Sequence, residues 1–229
     1  MTGLPVAMMD CGRVGALRTP AVSALLAREL AAPGSRSALV IGTGTQGRLA
    51  LPFLLTTLPR LDRLMLFGTH PEGIRAARAQ LHAHFPDREL EIVSDLRAAA
   101  GQADIVLATA GPRTPASVPA EWLRPAALSV LVGYGIAPST LHRADRVIAT
   151  SAAQMRVTGT DMADETGELR AVDAEFPDVL AGRAAGRTDP GQRDSRTTAG
   201  WSSPTSPSAT ASRSSPLAQG LGTVVPLWR

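Results

Sequence analysis

The sequence predicts an α/β protein built on a doubly wound parallel sheet, and three observations predict it. Short runs such as "SALVI", "RLMLF" and "DIVLATA" are apolar throughout, the pattern of strands buried on both faces. They alternate with segments of helical period, and strand–helix alternation gives a parallel sheet with right-handed crossovers. Gly42, Gly44 and Gly47 form G-x-G-x-x-G directly after the first of these runs and open the helix that follows.

Taken in order, residues 4–18 read as one or two short strands around a turn at Cys11 and Gly12. Thr19 then caps a helix, Pro20 occupies its first turn, and "AVSALLARELA" carries it until Pro33 and Gly34 stop it. "SALVI" is the first buried strand. "QGRLALPFLLTTL" is a helix apolar almost all round, with a kink expected at Pro52. The alternation continues with strand "RLMLF", helix "EGIRAARAQLHAHF", strand "LEIV", helix "DLRAAAGQ" and strand "DIVLATA", and two further strands, "ALSVLVGYG" and "RVIATS", close it.

The totals narrow the function classes. With 229 residues, 44% apolar and 19% charged, the chain has the profile of a globular protein able to bury a large core. Every basic residue is Arg, the net charge is only +3, and the basic residues are scattered among acids, so no nucleic-acid partner is expected. Cys11 is the single cysteine, which excludes an internal disulfide and favours a reducing compartment. No run approaches the ~20 apolar residues of a membrane span, and no secretory leader is visible, so a cytoplasmic location without membrane association is expected.

The glycine spacing has a mechanical reason. Gly42 makes the tight turn, Gly44 lets the backbone approach a pyrophosphate, and Gly47 permits close helix–strand packing, a Rossmann-type arrangement. The unpaired N–H groups of the following helix then meet the phosphates. Gly42, Thr43, Gly44, Thr45 and Gln46 are therefore the expected cofactor loop, with NAD or NADP as the ligand. After the second strand stand Gly68, Thr69 and His70, with no carboxylate until Glu72. That pattern removes a penalty against a 2′-phosphate, which His70 or Arg75 would meet, while both residues also suit a plain solvated surface. Thr109 and Ala110, ending the fourth strand, are placed beside the nicotinamide end of the crevice. Asp161, Asp164 and Glu165 lack His neighbours and read as a solvated helix start, so no metal site is expected.

The stretches "GALRTPAVSALLARELA", "ALVIGTGTQGRLALPFL" and "ADIVLATAGPRTP", with "VGYG" afterwards, resemble the ornithine cyclodeaminase/mu-crystallin family over nearly all of residues 3–190 and again at the C-terminus. The Arg-Thr that opens a helix and Gln46 within the glycine loop are the most specific parts of the resemblance. It implies an NAD(P)-dependent enzyme acting on a small amino or imino acid by cyclodeamination or hydride transfer at Cα, homodimeric in full-length relatives. It also implies that Arg18 holds the substrate carboxylate, a task suited to a planar guanidinium. Two departures from the family pattern bear on activity. The family's ornithine cyclodeaminases carry an Asp shortly after the Val-Gly of a late strand; here Val132 and Gly133 are followed by Tyr134, Gly135 and Ile136. Tyr134 reads either as a substitute donor or as packing. The family's substrate and dimerisation domain, roughly one hundred residues, would precede Met1. The second reading is therefore a catalytically inactive nucleotide-binding or subunit-interaction fragment.

This reading divides the chain into a remnant of the substrate/dimerisation domain with its linking helix (1–34), a dinucleotide-binding Rossmann domain (35–152), a return toward the α+β substrate domain (153–191), a Ser/Pro-rich segment (192–216) and a family-like C-terminus (217–229). In isolation the Ser/Pro-rich segment reads as a linker. Serine codons of the TCN type read two bases along encode apolar residues, and residues 198–212 read in that frame give a strand-and-helix pattern. The segment is thus also a candidate for a compensating pair of frameshifts.

Overall fold

The computed structural model describes residues 11–187 and the backbone of 197–200. Helix α1 spans Cys11–Leu30, strand β1 Ser37–Ile41, α2 Thr45–Thr57, β2 Arg63–Phe67 and α3 Pro71–His84. Then come β3 (Glu91–Ile92), α4 (Leu96–Gln102), β4 (Ile105–Ala108), β5 (Leu128–Leu131), α5 (Pro138–His142) and β6 (Arg146–Ala149). Helix α6 (Ala152–Thr158), β7 (Ala174–Glu175), α7 (Phe176–Leu180) and β8 (Thr197–Gly200) complete the described elements. The sheet order is β3-β2-β1-β4-β5-β8-β6-β7, and every pair is parallel. The predicted α/β doubly wound sheet is the observed one.

Alternation along the central strands builds a core on each face. Ala38 and Val40 join Leu64, Leu66, Ile105 and Leu107 on the face covered by α1, α2 and α3. Leu39 and Ile41 join Met65 and Val106 on the other, under α4 and the loop that carries Val118 and Leu123. Each fully buried Leu or Ile contributes about 1.5–3 kcal/mol. Because both faces are dry, the strands read as uninterrupted apolar runs, which made them visible in the sequence. At the N-terminal end of the sheet Asp104 ties β1 to β4, accepting from the backbone N–H groups of Arg36 (2.8 Å) and Ser37 (2.9 Å) and from Arg124 Nη1 (2.7 Å).

Three sequence expectations are corrected. Helix α1 begins by Cys11, so Thr19 is no cap and Pro20 lies inside the helix. Thr19, Pro20, Ser23 and Ala24 are buried, and the packing of α1 on α2 overrides the local preference for a helix start at Thr-Pro. The reading of residues 4–18 as short strands around a turn at Cys11 and Gly12 is corrected over 11–18, which are helical, because α1 starts earlier than the Thr-Pro signal suggests; residues 4–10 lie outside the described residues. The linker reading of 192–216 is corrected at Thr197–Gly200, which forms β8 between β5 and β6. Those two strands do not pair with each other, and an inserted strand satisfies both open ladders. The remainder of 192–216, and all of 217–229, lie outside the described residues. Helix α2 continues past Pro52. Among the described residues no helix is long and apolar enough to cross a membrane.

Residues 35–152 supply most of the sheet, and elements on either side of them attach to it. Helix α1 packs on α2 and on α7, and β7 pairs with β6.

Candidate cofactor-binding site

Strand order reverses between β1 and β4, so the chain leaves Ile41 and Ala108 in different directions and opens a crevice at their C-terminal ends. Gly42 turns here with φ +108°, and a Cβ on it would lie 2.7 Å from Ala110 Cα. The turn demands glycine twice over, for the backbone angle and for the approach of Ala110. A Cβ on Gly47 would overlap the Gly42 carbonyl and stand 2.8 Å from Thr109 Oγ1. Thr109 in turn gives both its N–H (2.8 Å) and its hydroxyl (2.9 Å) to the Ile41 carbonyl, locking the end of β4 against the loop.

Gly44 is different. It is exposed, and a Cβ there would meet no atom of the described residues within 4 Å. Its side of the loop faces open space at the start of α2, which has no side-chain cap and no acid in its first turn. The unpaired N–H groups and the positive helix end fit an anion, as a dinucleotide pyrophosphate requires. Thr45 is exposed beside it. Thr43 points the other way: its side chain is buried, wedged against the positions where Gly68 and Gly73 would carry Cβ atoms. Its hydroxyl therefore serves packing, and only its backbone faces the loop.

Gln46 is partly buried, and its Nε2 donates to the Gly15 carbonyl at 3.2 Å, joining the glycine loop to α1. Its Oε1 is buried and has no hydrogen-bond partner among the described residues. Arg18 stands one turn beyond Gly15 on the same helix and is partly buried; it lies within α1, where the sequence placed it at a helix start. Thr69 and His70 are exposed between β2 and α3, with His70 at the α3 N-cap position making no side-chain cap. Arg75 reaches Glu72 at 3.6 Å on the exposed face of α3.

Beyond Ala110 the crevice is walled by Tyr134. The two residues exchange backbone hydrogen bonds, Ala110 N–H to the Tyr134 carbonyl at 3.1 Å and Tyr134 N–H to the Ala110 carbonyl at 2.9 Å. The Tyr134 hydroxyl donates to Asp161 Oδ2 at 3.0 Å, and this bond to a carboxylate raises the phenol pKa above its usual value. The predicted acidic cluster divides. Asp164 accepts from Thr166 and from the N–H of Glu168, bonds that hold its carboxyl below the ordinary range and build a turn. Among the described residues no three His, Cys, Asp or Glu side chains are placed to hold a metal.

Sequence reasoning missed Arg48. It lies in the first turn of α2, and its Nε reaches the Gly44 carbonyl at 3.4 Å. A cation at the positive end of a helix is unfavourable unless an anion joins it. Its spacing four residues after Gly44 was the available signal.

The model of the ornithine cyclodeaminase/mu-crystallin family matches residues 1–193. A Rhizobium meliloti (strain 1021) protein named only as a dehydrogenase is 32% identical over 197 residues, covering 82% of this chain and 59% of that protein. The Delta(1)-pyrroline-2-carboxylate reductase of Paracoccus denitrificans (strain Pd 1222) is 34% identical over 127 residues, 56% of this chain and 39% of the relative. The chain thus spans under two thirds of the length of these relatives. Among solved structures, Delta(1)-pyrroline-2-carboxylate reductase from Thermococcus litoralis, in complex with NADH and L-proline, superposes with a TM-score of 0.80 at 21% identity, over 98% of this chain and 71% of that one. Fold, glycine loop and family match agree: the chain belongs to the ornithine cyclodeaminase/mu-crystallin family.

Proposed function

We propose that the chain holds NAD or NADP in the crevice between β1 and β4, as the cofactor-binding part of an enzyme acting on a small amino or imino acid. The observation that carries this reading is the glycine cradle: Gly42 and Gly47 are closed by backbone, while Gly44 stands open before an uncapped helix N-terminus. Gly42 to Gln46 and Arg48 hold the pyrophosphate. Thr69 and His70 meet the adenine ribose, and Thr109 and Ala110 border the nicotinamide side. Bound there, the cofactor would supply hydride transfer at the substrate Cα: uptake in dehydrogenation, donation in imine reduction, and uptake followed by return, with release of ammonia, in cyclodeamination. Arg18, tied to the loop through Gly15 and Gln46, binds the substrate carboxylate.

With no carboxylate among Gly68, Thr69 and His70, NADPH is expected to bind at least as well as NADH. Titration of the purified protein with each nucleotide, followed by assays with L-ornithine, L-alanine and cyclic imines, tests the reading. Failure to bind either nucleotide overturns it. Binding without turnover assigns the chain the nucleotide-binding role alone.

A further inference from the structure

We propose that Asp161 and Tyr134 form the binding point for the cationic nitrogen of the substrate, an ammonium or iminium group; this rests on the amino- or imino-acid reading above. Tyr134 is held at the mouth of the crevice by its neighbours. A Cβ on Gly133 would lie 2.5 Å from the Ala110 carbonyl oxygen, and Gly135, at φ +127°, has room for none, since Ile41 Cγ2 would be 2.9 Å away. The segment 133–135 is therefore pressed onto the ends of β1 and β4, at the point where the glycine loop departs. Between the two glycines stands the sequence's only tyrosine, 39% exposed, its backbone paired to Ala110.

The hydroxyl of Tyr134 fixes one oxygen of Asp161 by donating to Oδ2. Among the described residues no arginine pairs with that carboxylate, and no hydrogen bond reaches its other oxygen. An oriented, exposed carboxylate without a cation, on the rim of the crevice, is matched by a ligand that brings its own cation. An N⁺–H donor fills the open oxygen and gains a charge-assisted hydrogen bond. Asp161 is thus brought beside the Tyr134 hydroxyl from 27 residues further along the chain.

The test compares wild type, Asp161→Asn, Asp161→Glu and Tyr134→Phe, each loaded with NADH or NADPH. Each is titrated by calorimetry with L-alanine, L-proline and L-ornithine, and with L-lactate, which carries a hydroxyl in place of the ammonium. Asp161→Asn is expected to weaken amino-acid binding about tenfold or more, as for a lost hydrogen bond to a charged group. Nucleotide and lactate affinities should stay within about twofold. Asp161→Glu should recover part of the loss, and Tyr134→Phe should lose less than Asp161→Asn. Unchanged amino-acid binding in Asp161→Asn, an equal loss of lactate, or no amino-acid binding by nucleotide-loaded wild type overturns this inference while leaving the cofactor reading standing. A wild type that binds no nucleotide overturns both.

Discussion

The Thr43 side chain fills the space that a Cβ on Gly73 would need, and it presses on Gly68 as well. Through this one buried threonine the end of β2 and the first turn of α3 dock onto the cofactor loop. Helix propensity alone favours Ala over Gly by about 1 kcal/mol. Gly73→Ala is nevertheless expected to destabilise the protein by about 1–3 kcal/mol, the usual range for overpacking. Adding Thr43→Ala should restore part of the loss. Urea unfolding of the single and double variants gives the sign, and a stabilised single variant would show that Thr43 yields freely.

Gly42 and Gly44 should separate folding from binding. Alanine at position 42 would have to accept φ +108° and push Ala110 away, so Gly42→Ala should lower both the unfolding midpoint and nucleotide affinity. Alanine at position 44 meets no atom of the described residues, and its backbone, at φ −71°, suits any residue. Gly44→Ala should therefore keep the wild-type midpoint while its methyl group enters the space a pyrophosphate needs. Thermal unfolding beside nucleotide titration distinguishes the two, and unchanged nucleotide binding in Gly44→Ala would place the pyrophosphate elsewhere.

The difference between these glycines shows what the sequence made legible. Strands buried on both faces are apolar at every position, and the glycine spacing reports a turn whose neighbours are local, so β1, β2, β4 and the loop were readable. The start of helix α1 is not legible locally, because Thr19-Pro20 has the chemistry of a helix N-terminus, whereas burial against α2 decides the outcome. Strand β8, Thr-Thr-Ala-Gly, carries no apolar run; its place follows from the open ladders of β5 and β6, which are distant in sequence. Tyr134 and Asp161 each stand out singly in the sequence, but nothing local couples residues 27 positions apart.

Arg48 offers a test with opposite signs for stability and binding. At the first turn of α2 its charge opposes the helix dipole, a cost of about 0.3–1 kcal/mol at an exposed site. Arg48→Ala is thus expected to leave stability unchanged or slightly raised. It should weaken nucleotide binding by roughly tenfold, as for the loss of one charge-assisted contact. The loss should shrink as salt screens the phosphate charge. Equal affinities for wild type and Arg48→Ala at low salt would remove Arg48 from the site.

Acid should erode stability through two carboxylates that face arginines, Asp62 and Glu91. Arg36 holds Asp62 below its ordinary value of 3.8, and Arg63 holds Glu91 below 4.5, in each case chiefly through a side-chain hydrogen bond. A carboxyl depressed in the folded state contributes stability that is present above its unfolded value and disappears as pH falls through the folded one. These two pairs should leave stability flat from neutrality to about pH 5 and erode it below about pH 4. Arg63→Ala should make the acid slope shallower, by a small amount because the pair is half exposed. Unfolding midpoints across an acid series provide the measurement; an unaltered slope would mean that the Arg63–Glu91 bond contributes nothing.

Asp104 is the acceptor on which the opposite end of the sheet depends. Its carboxylate takes the backbone N–H groups of Arg36 and Ser37 as well as the Ser37 hydroxyl at 2.8 Å, and its own N–H goes back to Ser37 Oγ at 2.9 Å. Ser37 is buried, so Asp104→Ala strands polar groups where solvent reaches them poorly. Each buried donor left unmade costs about 1–3 kcal/mol, and a total loss of about 2–3 kcal/mol is expected. Asp104→Asn keeps one acceptor oxygen and should lose less. Residue 104 precedes β4, while Thr109 follows it, so a strand of four residues, roughly 13 Å, separates this clamp from the crevice. Asp104→Ala should consequently lower the unfolding midpoint while leaving nucleotide affinity unchanged under conditions where the protein is folded. A matching loss of affinity would mean that β1 and β4 shift as one body when their N-terminal ends are released.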